Sequence, residues 1–179
     1  MGTGQEFISQ KLAEERRLAR NRGEEYAEVM RLGLSWTPAA PLPHMLCGGN
    51  RAFILFYLER ELSPNNNGQP ISVSSRDPSQ ASLGMVELIG VYGICNDGPN
   101  DEGLDQHRLY GKGLTFYSAH EVYNSRWKEE RSESAAQSHH YVFTFQDETI
   151  ECLAQSLRVE EMSASFADAL IELAGRFIE

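Results

Sequence analysis

Two alternating runs on either side of a short turn constrain this chain more than any other feature. Tyr141–Gln146 and Ile150–Gln155 alternate apolar and polar residues around Asp147-Glu148. Period-two alternation marks a half-buried strand, and two such runs across a turn make an antiparallel hairpin. Pairing Phe145 with Ile150 sets Phe143 opposite Cys152 and Tyr141 opposite Ala154, so all six share one core face. The other face carries His140, Val142, Thr144, Gln146, Thr149, Glu151 and Leu153. A one-residue slip would destroy this sorting, so the register is well specified. In this register Glu151 faces Thr144, and His140 lies four residues further along, roughly 13 Å away. The two are expected to line one surface without touching. Thr144, Gln146, Thr149 and Glu151 form one polar cluster, which becomes a pocket if a helix over 125–134 covers it.

The rest of the chain supplies elements for the hairpin to pack against. Residues 4–32 read as helix broken at Arg22-Gly23, the second piece carrying Tyr26, Val29 and Met30. Residues 37–50 hold Pro38, Pro41 and Pro43 followed by Gly48-Gly49. They read as a crossing loop, because proline removes backbone donors and glycine favours turns. Ala52–Leu58 is an apolar run of strand length, expected to be buried on both faces. Ile71–Ser74 alternates as a short strand, with loops at Ser63–Gln69 and Arg76–Gln80. Residues 83–95 form a long strand in which Gly84, Gly90 and Gly93 suggest bulges or close approaches. Asn96–Asp105 reads as an acidic loop, and 114–123 as a strand ending near Val122. Asn124 or Ser125 stands where an N-cap belongs, ahead of a short helix at 126–134 carrying Trp127. Residues 132–138 are polar linker. A final helix starts at Ser165, with Ser165 and Asp168 as capping box and Phe166, Leu170, Leu173 and Phe177 as its apolar stripe.

The 179 residues suit one domain, with 1–36 helical, 37–162 the sheet core and 163–179 the closing helix. The expected class is α+β, a mainly antiparallel sheet of five or six strands with N- and C-terminal helices. Net charge is −10, unevenly placed. Residues 1–32 balance six acids with six bases, whereas 147–179 set eight acids against Arg158 and Arg176. Such an acidic end repels phosphate backbones, so nucleic acid is not an expected partner. No run approaches the ~20 apolar residues of a spanning helix, and none is expected at a membrane. Cys47, Cys95 and Cys152 are an odd set without CxxC spacing, which fits reduced thiols in the cytoplasm.

Local chemical motifs fail on spacing. His120-Glu121 begins an HExxH pattern, but Asn124 takes the second ligand's place. The 97–108 segment departs from a calcium loop at its glycine and at Arg108. His44 and Cys47 have ligand spacing, with His139 and His140 elsewhere, yet only one local pair exists. No metal and no cofactor are therefore expected.

His107-Arg-Leu-Tyr110, Gly113-Leu114, Tyr117, Glu121-Val122, Asn124-Ser125 and Trp127 make one ordered set. A second is His140-Tyr-Val-Phe-Thr-Phe-Gln-Asp147 with Thr149-Ile-Glu151-Cys152. Together they resemble a family of uncharacterised bacterial proteins reading approximately HPLYxxGLxxYxxxEVxNSxW and HxxFTFHDxTFEC. The resemblance spans residues 107–152, about a quarter of the chain, and Pro41-Leu-Pro43 also resembles that family's segment ahead of its first strand. Arg108, Gln146 and Ile150 depart from it, and Gln146 puts a non-titrating side chain where relatives carry His. The resemblance implies relatives, not a reaction.

These readings lead to a cytoplasmic binding or interaction protein of accessory, regulatory or toxin-neutralising type, whose partner is a protein or a small molecule. The expected ligand-binding residues are Glu121, Asn124, Trp127, Thr144, Thr149 and Glu151. The alternative is a small hydrolase-like enzyme using Glu121, His140 or Glu151 in a pocket beside Trp127. Cys95, His107 and His120 are further chemistry-bearing residues, and Asp147 is a polar residue at the turn. Shelter is expected to raise the Glu151 pKa unless a donor such as Asn124 or Arg126 compensates. Glu151→Gln is expected to leave the fold intact.

Overall fold

The alternating and apolar runs become strands. The structure, a computed structural model, describes residues 3–34, 36, 43–58, 81–131 and 135–178. Its strands are β1 (Tyr26–Val29), β2 (His44–Gly48), β3 (Arg51–Tyr57), β4 (Ala81–Gly98), β5 (Ala119–Tyr123), β6 (His139–Thr144) and β7 (Thr149–Ala164). Its helices are α1 (Thr3–Asn21), α2 (Arg126–Glu129) and α3 (Phe166–Gly175), with a 3-10 helix at Asp101–Gln106. The strands form an antiparallel sheet in the order β1-β5-β6-β7-β4-β3-β2, an α+β architecture. Among the described residues there are seven strands, against the expected five or six. One of the two added is β1, where helix was expected. The turn at Gly23 (φ 67°) ends α1, and Tyr26–Val29 then pairs with β5. The other is β2, which turns through Gly49-Asn50 to pair with β3. Ile71–Ser74 and its flanking loops lie outside the described residues.

The chain forms two compact units, residues 1–31 with 92–154, and residues 32–91 with 155–179. In the second unit, Phe53, Leu55, Tyr57, Leu83 and Met85 of β3 and β4 pack with Met162, Phe166, Ala169 and Leu173. The run Ala52–Phe56 is fully buried on both faces, as its unbroken apolarity implies. Phe56 crowds the space a side chain at Gly84 would need. Gly90 adopts φ 65° within β4, where a Cβ would meet Gln155. Ser165 caps α3 by accepting the Asp168 N–H at 3.1 Å. Arg51 joins Glu87 at 2.8 Å to the carbonyl of Arg176 at 2.8 Å, tying β3 and β4 to the end of α3.

In the first unit, Tyr141, Phe143, Phe145, Ile150, Cys152 and Ala154 are all buried. The pairing, however, is Phe143↔Ile150, Tyr141↔Cys152 and Val142↔Glu151. The Phe145 N–H donates to the Glu148 carbonyl at 2.9 Å, so the turn centres on Gln146-Asp147, one residue earlier than expected. Moving the centre by one residue moves the register by two. Every side chain keeps its face and changes its opposite number. Thr144 therefore opposes Thr149, not Glu151.

The opposite face is covered too. Leu104, Leu109 and Leu114 pack with Ala27, Val122 and Val142 over it. The cover comes from the 101–114 segment, whose first part was expected to be a loop. It is a 3-10 helix, capped by the Asn100 side chain accepting the Gly103 N–H at 3.0 Å. The expected 114–123 strand is shortened to β5. Ahead of β5, Tyr117 takes φ 49°. Within the described residues α2 ends at Glu129, short of the expected 134.

Candidate functional site

The corrected register brings His140 and Glu151 together. His140 pairs with Leu153 and Glu151 with Val142, one diagonal step apart on the same face. Diagonal neighbours are within reach of long side chains. His140 Nε2 lies 2.8 Å from Glu151 Oε2, so the expected separation of roughly 13 Å does not hold.

Glu151 is the hub of a buried cluster. Arg108 grips it in bidentate fashion, Nη1 to Oε1 at 2.7 Å and Nη2 to Oε2 at 2.6 Å. His107 Nε2 adds a contact to Oε1 at 3.1 Å. The Leu109 N–H donates to His107 Nδ1 at 3.2 Å, which leaves the His107 proton on Nε2, aimed at the carboxylate. Burial alone would raise the Glu151 pKa. The hydrogen bonds from His107, His140 and Arg108, with the Arg108 charge, overcome it and hold the carboxyl well below the usual range. Compensation thus comes from Arg108 and two histidines, not from Asn124 or Arg126. Arg108 Nε also reaches the buried Glu25 at 3.1 Å, and Glu25 accepts the Arg126 N–H at 3.2 Å. Its charge is reinforced by both carboxylates.

The cluster continues through His140. Its Nδ1 lies 2.7 Å from Ser125 Oγ, and the Trp127 ring meets its edge at 5.3 Å between centroids. Asn124, at φ 53°, turns the chain from β5 into α2, and its side-chain amide donates to the Glu24 carbonyl at 3.2 Å. Asparagine tolerates this left-handed backbone better than most residues. Ser125 is then the N-cap, its Oγ accepting the Lys128 N–H at 3.2 Å. Beyond Ser125 and His140 opens a cavity of about 630 Å³, lined also by Glu121, Asn124, Lys128 and His139. Glu121 accepts from His139 Nδ1 at 2.6 Å and from the Tyr123 hydroxyl at 3.1 Å. Among the described residues no ion pair reaches the Lys128 ammonium.

The remaining candidates lie apart from this cavity. Trp127 and Glu151 do not line it; each is in contact with His140, which does. Thr144 and Thr149 donate to the carbonyls of Thr115 and Pro99, both at 2.8 Å, and so pin loops. The Cys95 thiol meets Asp97 at 2.6 Å. His120 is fully buried, its Nε2 accepting the Thr115 N–H at 3.0 Å; among the described residues no group meets its Nδ1 in hydrogen-bond geometry, and the Val142 backbone is the polar group that acts on the ring. Among the described residues, no three His, Cys, Asp or Glu side chains converge as metal ligands would.

Sequence reasoning missed Ser125 as more than a cap, and it missed Arg108 and Glu25. The signal for Arg108 was its place beside His107; the signal for Glu25 was weak, because its stretch was read as helix. Comparison with protein-family models, curated proteins and solved structures finds no match for this chain.

Burial pushes His120 down to about 4 from 6.5. Between those pH values the unfolded chain binds the proton and the folded chain does not. Stability is therefore full above pH 6.5 and falls as pH drops toward 4. The shift corresponds to about 3 kcal/mol. His120→Gln keeps an acceptor for Thr115 and removes the titration. Unfolding free energies measured from pH 7 to pH 4 should fall less steeply for this variant than for the parent. Parallel curves would refute the assignment.

Proposed function

We propose that the first unit binds a small polar molecule in the cavity beside Ser125 and His140. The cavity itself carries the reading. Its volume of about 630 Å³ lies in the range of small-molecule sites. A concave, chemically mixed surface suits such a ligand better than it suits a flat protein partner. Its polar groups are of complementary kinds. Lys128 and Arg131 offer cations to a carboxylate or phosphate, and Glu121 and Glu129 offer acceptors to an amine or hydroxyl. The Glu151 cluster serves this site from behind, by holding His140 and through it Ser125.

The test is a thermal-shift screen with amino acids, dipeptides and small dicarboxylates such as succinate, read beside native mass spectrometry of protein purified from cell extract. A ligand at about a hundred times its Kd adds about 2.7 kcal/mol, or roughly 5–10 °C for a domain of this size. At least one probe should give such a shift, and Lys128→Gln should weaken it for an anionic probe, with Arg131 left as the remaining cation. No shift from any probe, together with a bare-chain native mass, would refute the reading.

A further inference from the structure

We propose that Ser125 is a nucleophile, and that the cavity takes a small ester bearing a negatively charged group, which Ser125 and His140 hydrolyse through an acyl-enzyme. This rests on the cavity being a ligand site, and it adds a reaction there.

The geometry follows from proton bookkeeping. An ionised carboxylate only accepts hydrogen bonds, so His140 Nε2, 2.8 Å from Glu151, carries the proton. In the neutral imidazole Nδ1 is then an acceptor, and the Ser125 hydroxyl 2.7 Å away donates to it. Serine, base and carboxylate stand in the order that nucleophilic catalysis requires. The ring is used the other way round from the Ser-His-Asp template, with Nδ1 toward the serine. Either nitrogen serves as base once a proton is fixed on the other.

Ser125 Oγ has two lone pairs. The Lys128 N–H takes one at 3.2 Å, which leaves the other for an acyl carbon. Ser125 and His140 both line the cavity, and so do Lys128 and Arg131, cations for the substrate's anionic end. Arg108 draws off part of the Glu151 charge. Glu151 therefore acts as a positioning residue, fixing the tautomer and plane of His140.

The reaction balances without any co-reactant but water. Ser125 Oγ bonds to the ester carbonyl carbon as its proton passes to His140 Nδ1. The tetrahedral adduct collapses, the bond to the alcohol oxygen breaks, and His140 returns the proton to the leaving alkoxide. Water then attacks the acyl group, with its proton going to His140 and on to Ser125. This releases the carboxylic acid and restores the serine.

The experiment uses the full chain with three probes, a fluorophosphonate, the anionic ester p-nitrophenyl succinate and the neutral p-nitrophenyl acetate. Intact mass should show one phosphonyl adduct per chain, placed on Ser125 by peptide mapping. Hydrolysis of the succinate ester should fall by about 100-fold or more in Ser125→Asn. Asparagine keeps the cap that serine makes. Because Ser125 is buried, the melting of the variant is measured beside the parent's, so that a lost fold is told from a lost nucleophile; the adduct mapped on the parent stands either way. Lys128→Gln should reduce the preference for succinate over acetate ester. No adduct, or an adduct and hydrolysis that persist in Ser125→Asn, overturns the proposal. Free succinate separates the two readings. If it stabilises the chain while no adduct forms, the reaction fails and the cavity stands. If neither succinate nor any other ligand of the thermal-shift screen binds and no adduct forms, both fail.

Discussion

Glu151→Ala is expected to cost about 3–5 kcal/mol, because it leaves buried charge and donors without a partner. Arg108 would lose both hydrogen bonds of its bidentate grip, and His107 and His140 would each lose an acceptor. Glu25 would remain as the only carboxylate bonded to Arg108 among the described residues. Glu151→Gln should be nearly as damaging. Its amide nitrogen would face donors on whichever side it turned, so the expectation that this change spares the fold does not survive the structure. Arg108→Ala should also be costly: that side chain is 42% exposed, but Glu151 and Glu25 would be left buried without their shared cation.

The same cluster sets an acid limit. The folded carboxyl titrates below its ordinary value of 4.5, so its contribution is present above that pH and is lost as pH falls below it. Chemical denaturation at pH 7 should show the loss in Glu151→Ala directly. A difference below about 1 kcal/mol would mean that the cluster is not buried as described.

Phe143→Ala is the second large effect, expected at about 3–5 kcal/mol. Phe143 is fully buried on β6 opposite Ile150, which is itself fully buried. Tyr141, Phe145, Cys152 and Ala154 on the same face are also buried, which gives the emptied space little freedom to collapse. The measurement is again equilibrium unfolding, and a loss below about 1 kcal/mol would contradict the packing. Phe143→Leu should recover most of the stability, because it restores most of the lost volume.

How far the sequence could be read depended on which physical term decided each element. Burial of Phe143, Phe145, Ile150 and Cys152 was legible, because period-two alternation declares a face. The capping of α3 by Ser165 was legible, and that of α2 was narrowed to Asn124 or Ser125, because a cap is a local contact. Tyr26–Val29 was not, since a four-residue strand carries too little pattern to compete with a neighbouring helix, and pairing with β5 decided it. The 101–114 cover was not, because a 3-10 turn buries only Leu104 and shows no period. The His140–Glu151 contact was missed for a sharper reason. Alternation settles which face a residue takes and is silent between registers two residues apart.

That silence gives the buried cluster a further meaning. The expected and the observed hairpin bury the same aromatic and aliphatic set, so their cores differ little. They differ in what Glu151 meets. With the turn on Gln146-Asp147 it finds His140, His107 and Arg108; with the turn one residue later it would stand opposite Thr144 and away from His140. The ionic knot is satisfied in the observed alignment, together with the bonds of Thr144 and Thr149 to their loops. A chain that lost it would keep its oily interior and lose the instruction that says which rung of the ladder to stand on.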